Sequence, residues 1–196
     1  MNAEPDVVHG AWTRQAVAVD GGPLFETQHV VWIQTGTCYA DVRVPFHVAA
    51  EQRCFTGRSG WDSDAYRWTH HFDLEIGAPT ADDVGELTWD GDTLIERGMF
   101  PTARTTVAYE ERWVRLPEWR GPFLALEGDA ACMVRSGAHV ITVVDQRPTG
   151  GGFAAAYRRL RDGAWATVLT IGRAECLPSP DDAPEGWRIV HRGTCE

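Results

Sequence analysis

The sequence predicts an all-β protein, an up-and-down antiparallel barrel of about ten to twelve strands around a ligand lumen, with a short helix or loop at one mouth. Three observations predict it. Apolar and polar residues alternate over short runs, and long helical periodicity is absent. Turn dipeptides such as Gly36-Thr37, Asp90-Gly91 and Asp162-Gly163 separate those runs. A meander of neighbouring hairpins this long exposes strand edges unless it closes on itself. A two-sheet sandwich is the second architecture the pattern allows. The 196 residues suffice for one domain with a sizeable core, spanning 1–196.

The elements follow in order. After a polar start, Gly10-Ala11-Trp12 leads into a first strand over 16–19, stopped by Asp20-Gly21-Gly22-Pro23. A hairpin over 29–44 turns at Gly36-Thr37, because a leading glycine accepts the positive φ of a two-residue turn. Residues 45–64, with Pro45, Gly57, Gly60 and several charges, read as the loop or short helix over the barrel mouth. A strand covers 66–75. Residues 86–89 and 92–97 pair across Asp90-Gly91, setting Leu87 opposite Leu94. After a break at Met99-Phe100-Pro101 come strands at 105–115, 121–127, 130–135 and 138–146. A last hairpin, 153–161 with 164–172, precedes a Pro- and Asp-rich stretch and a short strand near 187–191.

Alternation sorts the side chains into faces. In the hairpin over 29–44, Gln34 faces Tyr39, Trp32 faces Asp41 and Val30 faces Arg43; Val31, Ile33, Ala40, Val42 and Val44 share the other face. Either face could point inward. Further along, Glu86, Thr88, Arg97, Glu110 and Arg112 make an ordinary wet surface, which turns Leu87, Leu94, Glu96, Tyr109, Glu111 and Trp113 to the interior. Two interior carboxylates require a counter-charge, since an unpaired buried charge is very costly. Arg43 supplies it, so the mixed face of the hairpin points inward. On 66–75 the apolar set Trp68, His70, Phe72 and Leu74 faces in and His71 faces out. The lumen then has Trp32, Tyr39, Trp68, Phe72, Tyr109 and Trp113 as walls, with Gln34, Asp41, Arg43, His70, Glu96 and Glu111 as polar groups. Arg43 and Glu111 should share one cavity near His70.

The Gly10-x-Trp12 opening and the hairpin meander resemble the lipocalin-like, or calycin, barrels. The motifs Trp32-x-Gln34-x-Gly36, Tyr39-Ala40-Asp41-x-Arg43-Val44-Pro45, Glu96-x-Gly98 and Tyr109-x-Glu111-x-Trp113 are similar to those of bacterial lipocalin-like proteins. The likeness covers about two thirds of the chain and implies a barrel with a lumen. Calycins include intracellular binding proteins, haem-binding barrels and some cyclases and isomerases, and a fold alone does not choose among them.

Composition removes several classes. The net charge of −10 disfavours a nucleic-acid partner. No stretch approaches the roughly 20 apolar residues of a membrane helix, and the acidic N-terminus carries no secretion signal, so a cytoplasmic location is expected. All eighteen basic residues are arginine, which leaves no Schiff-base or phosphate-loop lysine. Cys38, Cys54, Cys132, Cys176 and Cys195 are odd in number and scattered, as small buried hydrophobes are. His70 and His71 point to opposite faces and cannot share one metal, no Gly-x-Ser-x-Gly is present, and no metal or cofactor is expected.

The polar lumen residues bear alternative readings. His70 serves as acid or base, as a haem ligand, or as a satisfied core histidine. Glu96 and Glu111 form an acid/base pair, or an ion-pair network with Arg43. The expectation is a small-molecule-binding barrel: a metal-free cyclase, isomerase or lyase of a biosynthetic pathway, with His70, Glu96 and Glu111 catalytic and Trp32, Gln34, Tyr39, Asp41, Arg43, Trp68, Phe72, Tyr109 and Trp113 holding the ligand. The alternatives are a non-catalytic carrier or sensor, and haem binding through His70. The partner is a small molecule, and a homodimer is compatible with the sequence.

Overall fold

A computed structural model describes residues 8–47, 51–75, 82–101, 105–173, 177–181 and 184–195. The first eight strands are β1 Gly10–Val19, β2 Gln28–Thr35, β3 Cys38–Pro45, β4 Arg53–Asp62, β5 Ala65–Asp73, β6 Asp83–Asp90, β7 Thr93–Pro101 and β8 Thr106–Arg115. Each pairs antiparallel with the next, and β8 returns to β1 with Trp12 opposite Arg115, closing the barrel. The next six are β9 Gly121–Gly128, β10 Ala131–Ser136, β11 His139–Asp145, β12 Phe153–Arg161, β13 Ala164–Ile171 and β14 Arg188–Cys195. They form a six-stranded sheet in the order β13-β12-β11-β10-β9-β14. The up-and-down meander therefore closes after Arg115, and the later hairpins build a separate sheet.

That second sheet explains the opening hairpin's two faces. Val31, Ile33, Cys38, Ala40 and Val42 point out of the barrel and pack against Ala125, Val134, Ile141, Val143, Ala155 and Tyr157. β2 and β3 are thus buried on both faces, one inside the barrel and one under the sheet. Each fully buried Val or Ile contributes about 1.5–3 kcal/mol. Cys38, Cys54 and Cys132 are free and buried, Cys195 is half-buried, and Cys176 lies outside the described residues.

The register of β2 on β3 is Gln34 to Tyr39, Trp32 to Asp41 and Val30 to Arg43, as the sequence predicts. Two other expectations are corrected. The expected loop or short helix over 45–64 is mostly strand β4. Its glycines read as loop signals, yet Gly57 serves close approach: a Cβ there would lie 1.8 Å from the Thr69 carbonyl oxygen. The β6–β7 turn falls at Gly91-Asp92, with Gly91 at φ 59°, so Leu87 faces Glu96 instead of Leu94. A slip of two residues keeps every side chain on its face, and Leu94 and Glu96 are buried as expected.

The two barrel ends differ. Tight turns at 36–37, 63–64 and 91–92 close one end, whereas the longer connection 20–27 lies at the other. At the tight end Trp12 is fully buried, donating from Nε1 to the Val8 carbonyl at 2.9 Å. The Arg115 guanidinium lies 4.4 Å from the Trp12 ring and 4.0 Å from that of Trp119, sealing this end with cation–π contacts. Among the described residues no helix is long and apolar enough to cross a membrane.

Candidate functional site

The barrel interior divides into an aromatic floor and a charged upper half. Trp32 forms the centre of the floor, with ring centroids 5.9 Å from Trp12, 6.0 Å from Trp68 and 5.5 Å from Trp113. Tyr39, Tyr66 and Leu94 complete this packing. Gln34 belongs to the wall: its amide donates to the Gly36 carbonyl at 2.6 Å and its oxygen accepts from Ser59 Oγ at 2.9 Å.

Above the floor, Glu96 on β7 and Glu111 on β8 stand directly opposite one another. Both are buried. The Glu96 carboxyl accepts from Tyr109 Oη at 2.8 Å and from Trp113 Nε1 at 3.0 Å. Tyr109 reaches it because its own cross-strand partner is Gly98, where a Cβ would lie 2.5 Å from the phenol oxygen. Burial, and then the charge of Glu111, push the Glu96 pKa up to about 8. Burial and the same two carboxylates raise the Tyr109 pKa far above its usual range.

Glu111 lies in a network of opposite charge. Its Oε1 accepts from Arg14 Nη1 and, at 3.2 Å, from Arg43 Nη1. Arg43 also donates from Nε to Asp41 at 2.9 Å. Arg14 donates from Nε to Glu26 at 2.7 Å and from Nη2 to Gln28 at 3.3 Å. Burial opposes the Arg43 charge, but Asp41 and Glu111 outweigh it and raise the pKa well above normal. Burial raises the Asp41 pKa, against the pull of Arg43.

His70 sits at the mouth. Its ring stacks on Phe55 at 4.7 Å and 5°, and the Arg43 guanidinium lies 5.0 Å from that same Phe55 ring. Phe55 thus intervenes between His70 and the Arg43–Glu111 pair. His70 Nδ1 is 2.7 Å from Asp73 and Nε2 is 3.1 Å from Asp83. Burial lowers the histidine's pKa, but the two carboxylates overcome this and lift it to about 9.

Phe72 requires correction. A β-bulge between Thr56 and Gly57 sets Gly57 opposite His70 and Thr56 opposite Phe72, leaving His71 as the extra residue. The alternation breaks there. Phe72 consequently packs under the second sheet and lines a cleft outside the barrel. Trp32, Tyr39, Asp41, Arg43, Trp68, Glu96 and Trp113 meet around one opening, joined by Phe55 and Asp83. The sequence reading missed Arg14, Glu26, Phe55, Asp73 and Asp83. Arg14 stands two residues after Trp12, so the same alternation would have turned it inward. Glu26 comes from a connection and Asp83 from a strand end, where periodicity gives no signal.

The free space in that opening is ≈ 20 Å³, room for about one water. A larger cleft of ≈ 360 Å³ lies between β4–β5 and β9–β10–β14, lined by His71, Phe72, Glu127, Asp129, Cys132 and Arg188 among others. Its half-buried acid is already matched: Glu127 pairs with Arg58 and, at 2.9 Å, with Arg188. Burial drives the Cys132 thiol up to about 12, so it stays protonated and inert. In the lumen, by contrast, the buried atoms Trp32 Nε1, Tyr39 Oη and Glu111 Oε2 have no hydrogen-bond partner. Leaving such groups unmatched costs about 1–3 kcal/mol each, which makes the smaller opening the better candidate site. Comparisons with family models, curated proteins and solved structures find no match to the chain.

Proposed function

We propose that the upper lumen binds a small organic molecule and transfers protons on it, as a metal-free isomerase, cyclase or lyase. One observation carries this reading: Glu96 and Glu111 face each other, and of the two only Glu111 is held by guanidinium groups. Glu96 has its pKa pushed up to about 8, so at neutral pH it is an acid. Glu111 is ion-paired through Oε1 while Oε2 has no partner. A carboxyl that keeps its proton, facing a carboxylate oxygen without a partner, supplies an acid and a proton acceptor in one dry site. Glu111 Oε2 would accept a proton from the bound molecule, Glu96 would deliver one, and Arg43 and Arg14 would hold Glu111 in place. His70 lies beyond Phe55 and serves at the mouth, as a positioning group between Asp73 and Asp83. The eight-stranded closure and the Gly10-x-Trp12 opening of β1 support a lipocalin-like assignment for the barrel.

A carrier without chemistry is the second reading, favoured by the aromatic floor that fills the lower lumen. Haem fits poorly, because both ring nitrogens of His70 are held by carboxylates and Phe55 covers its face. Proton exchange separates the first two readings without a known substrate. A panel of small ketones and aldehydes is incubated with the protein in D2O, and loss of the α-C–H signal is followed by NMR. Exchange that disappears in Glu111→Gln supports proton transfer. Binding of panel members, seen by tryptophan fluorescence, with no exchange above the Glu111→Gln background assigns the barrel to carriage.

A further inference from the structure

We propose that the molecule this lumen receives is a small organic cation bearing an oxygen acceptor, such as an amino alcohol or a hydroxylated quaternary ammonium. The inference rests on the lumen-binding reading above.

The first support is charge. Glu26, Asp41, Glu96 and Glu111 surround the upper lumen with Arg14 and Arg43, and Asp73 and Asp83 flank His70 at the mouth. That is six carboxyl groups against three cations, and a surplus of acid persists with Glu96 neutral. Arg53 and Glu75 nearby cancel each other. Tyr39 and Tyr109 stay neutral, their pKa values raised by burial.

The second is the state of the arginines. Arg43 directs Nε and Nη2 to Asp41 and Nη1 to Glu111, while Arg14 is engaged by Glu26, Glu111 and Gln28. An anion would have to break one of these pairs and then lie among carboxylates. A cation meets aromatic walls, Trp32, Trp68 and Phe55, which favour it by about 0.5–2 kcal/mol per face.

The third is the set of unmatched buried atoms. Trp32 Nε1 and Tyr39 Oη are donors, and Glu111 Oε2 is an acceptor. Trp32 and Tyr39 both line the opening. A hydroxyl or carbonyl oxygen accepts from the first two, and an N–H or O–H donates to the third. The ≈ 20 Å³ of space keeps the ligand small, and its entry displaces the Phe55 ring at the mouth while Arg43 keeps its ion pairs. A positive charge beside Glu96 also favours its ionised form, so binding expels the Glu96 proton.

The test titrates the full chain at pH 7, in weak buffer, with choline, with ethanolamine, with the uncharged choline isostere 3,3-dimethylbutan-1-ol, and with glycolate. Tryptophan fluorescence reports binding and a pH indicator reports proton release. The cations should bind at least about tenfold more tightly than the isostere, a difference of about 1.4 kcal/mol, with proton release that is lost in Glu96→Gln. Tyr39→Phe should weaken cation binding several-fold and supplies the check if Glu96→Gln does not fold. Equal binding of the isostere, or tighter binding of glycolate, overturns the cation class while leaving lumen binding intact. No response to any of the four, in protein shown to be folded by circular dichroism, also overturns the cation class. The exchange assay in D2O then decides separately whether the lumen binds other molecules.

Discussion

Glu96 and Glu111 face each other across the β7–β8 ladder, and only Glu111 touches a guanidinium. Two like charges at this separation in a dry site are costly, so one carboxyl keeps its proton. The fold raises the Glu96 pKa from 4.5 to about 8. A raised pKa means that the folded protein binds the proton more tightly than the unfolded chain. Its stabilising effect is complete below about pH 4.5 and is lost as pH rises through about 8. His70, raised from 6.5 to about 9, acts in the same direction in a later window. Urea unfolding measured from pH 5 to 9 should show stability falling with pH, by at most about 1.4 kcal/mol per pH unit per group. Glu96→Gln should abolish the fall below about pH 6.5, reduce it between about 6.5 and 8, and leave the His70 part above about 8.

Arg43 is the counter-charge for two buried carboxylates, at 2.9 Å from Asp41 and 3.2 Å from Glu111. Replacing it by methionine strands Asp41 and leaves Glu111 to Arg14 alone. Arg43→Met should cost about 3–5 kcal/mol at neutral pH. Adding Asp41→Asn should recover part of the loss, because the stranded charge is removed. Equilibrium unfolding of the single and double variants measures both numbers, and a single variant within about 0.5 kcal/mol of the parent would dismiss the pairing as unimportant.

Gly98 holds Tyr109 over Glu96 by having no side chain. Gly98→Ala should push the phenol away and destabilise the barrel by about 1–3 kcal/mol. Tyr109→Phe keeps the ring but removes the hydrogen bond to Glu96, for a cost of about 1 kcal/mol. Thermal unfolding ranks the two, and the alanine variant should be the less stable.

The Tyr39 hydroxyl is buried without a partner. Removing an unmatched polar atom relieves its desolvation penalty, so Tyr39→Phe should be neutral or stabilising by up to about 1 kcal/mol. The same change should weaken the binding of a ligand oxygen. A melting temperature that falls by several degrees would mean that the hydroxyl already has a partner in the free protein.

Much of the lumen was legible because strand periodicity is strict. The wet set Glu86, Arg97 and Glu110 sufficed to turn Glu96 and Glu111 inward, and their need for a counter-charge turned Asp41 and Arg43 with them. Alternation failed at Phe72, where a bulge adds a residue that no local composition announces. It failed at β4, where Gly57 signals close packing and was read as loop. The second sheet was hidden for a different reason. Its strands are as regular as those of the barrel, and where a meander closes depends on the pairing of β1 with β8, residues about a hundred positions apart. Asp73 reaches His70 from the end of its own strand and Asp83 from the start of the next, across the β5–β6 pairing, where alternation gives no signal.

The protonation of Glu96 is open to direct measurement. In protein labelled with 13C at the glutamate carboxyls, one resonance that is absent from Glu96→Gln should titrate with a midpoint near 8. The same resonance should shift toward its ionised position when choline is added at pH 7. A Glu96 midpoint near the ordinary 4.5 would leave two ionised carboxylates in the lumen and contradict its role as the acid.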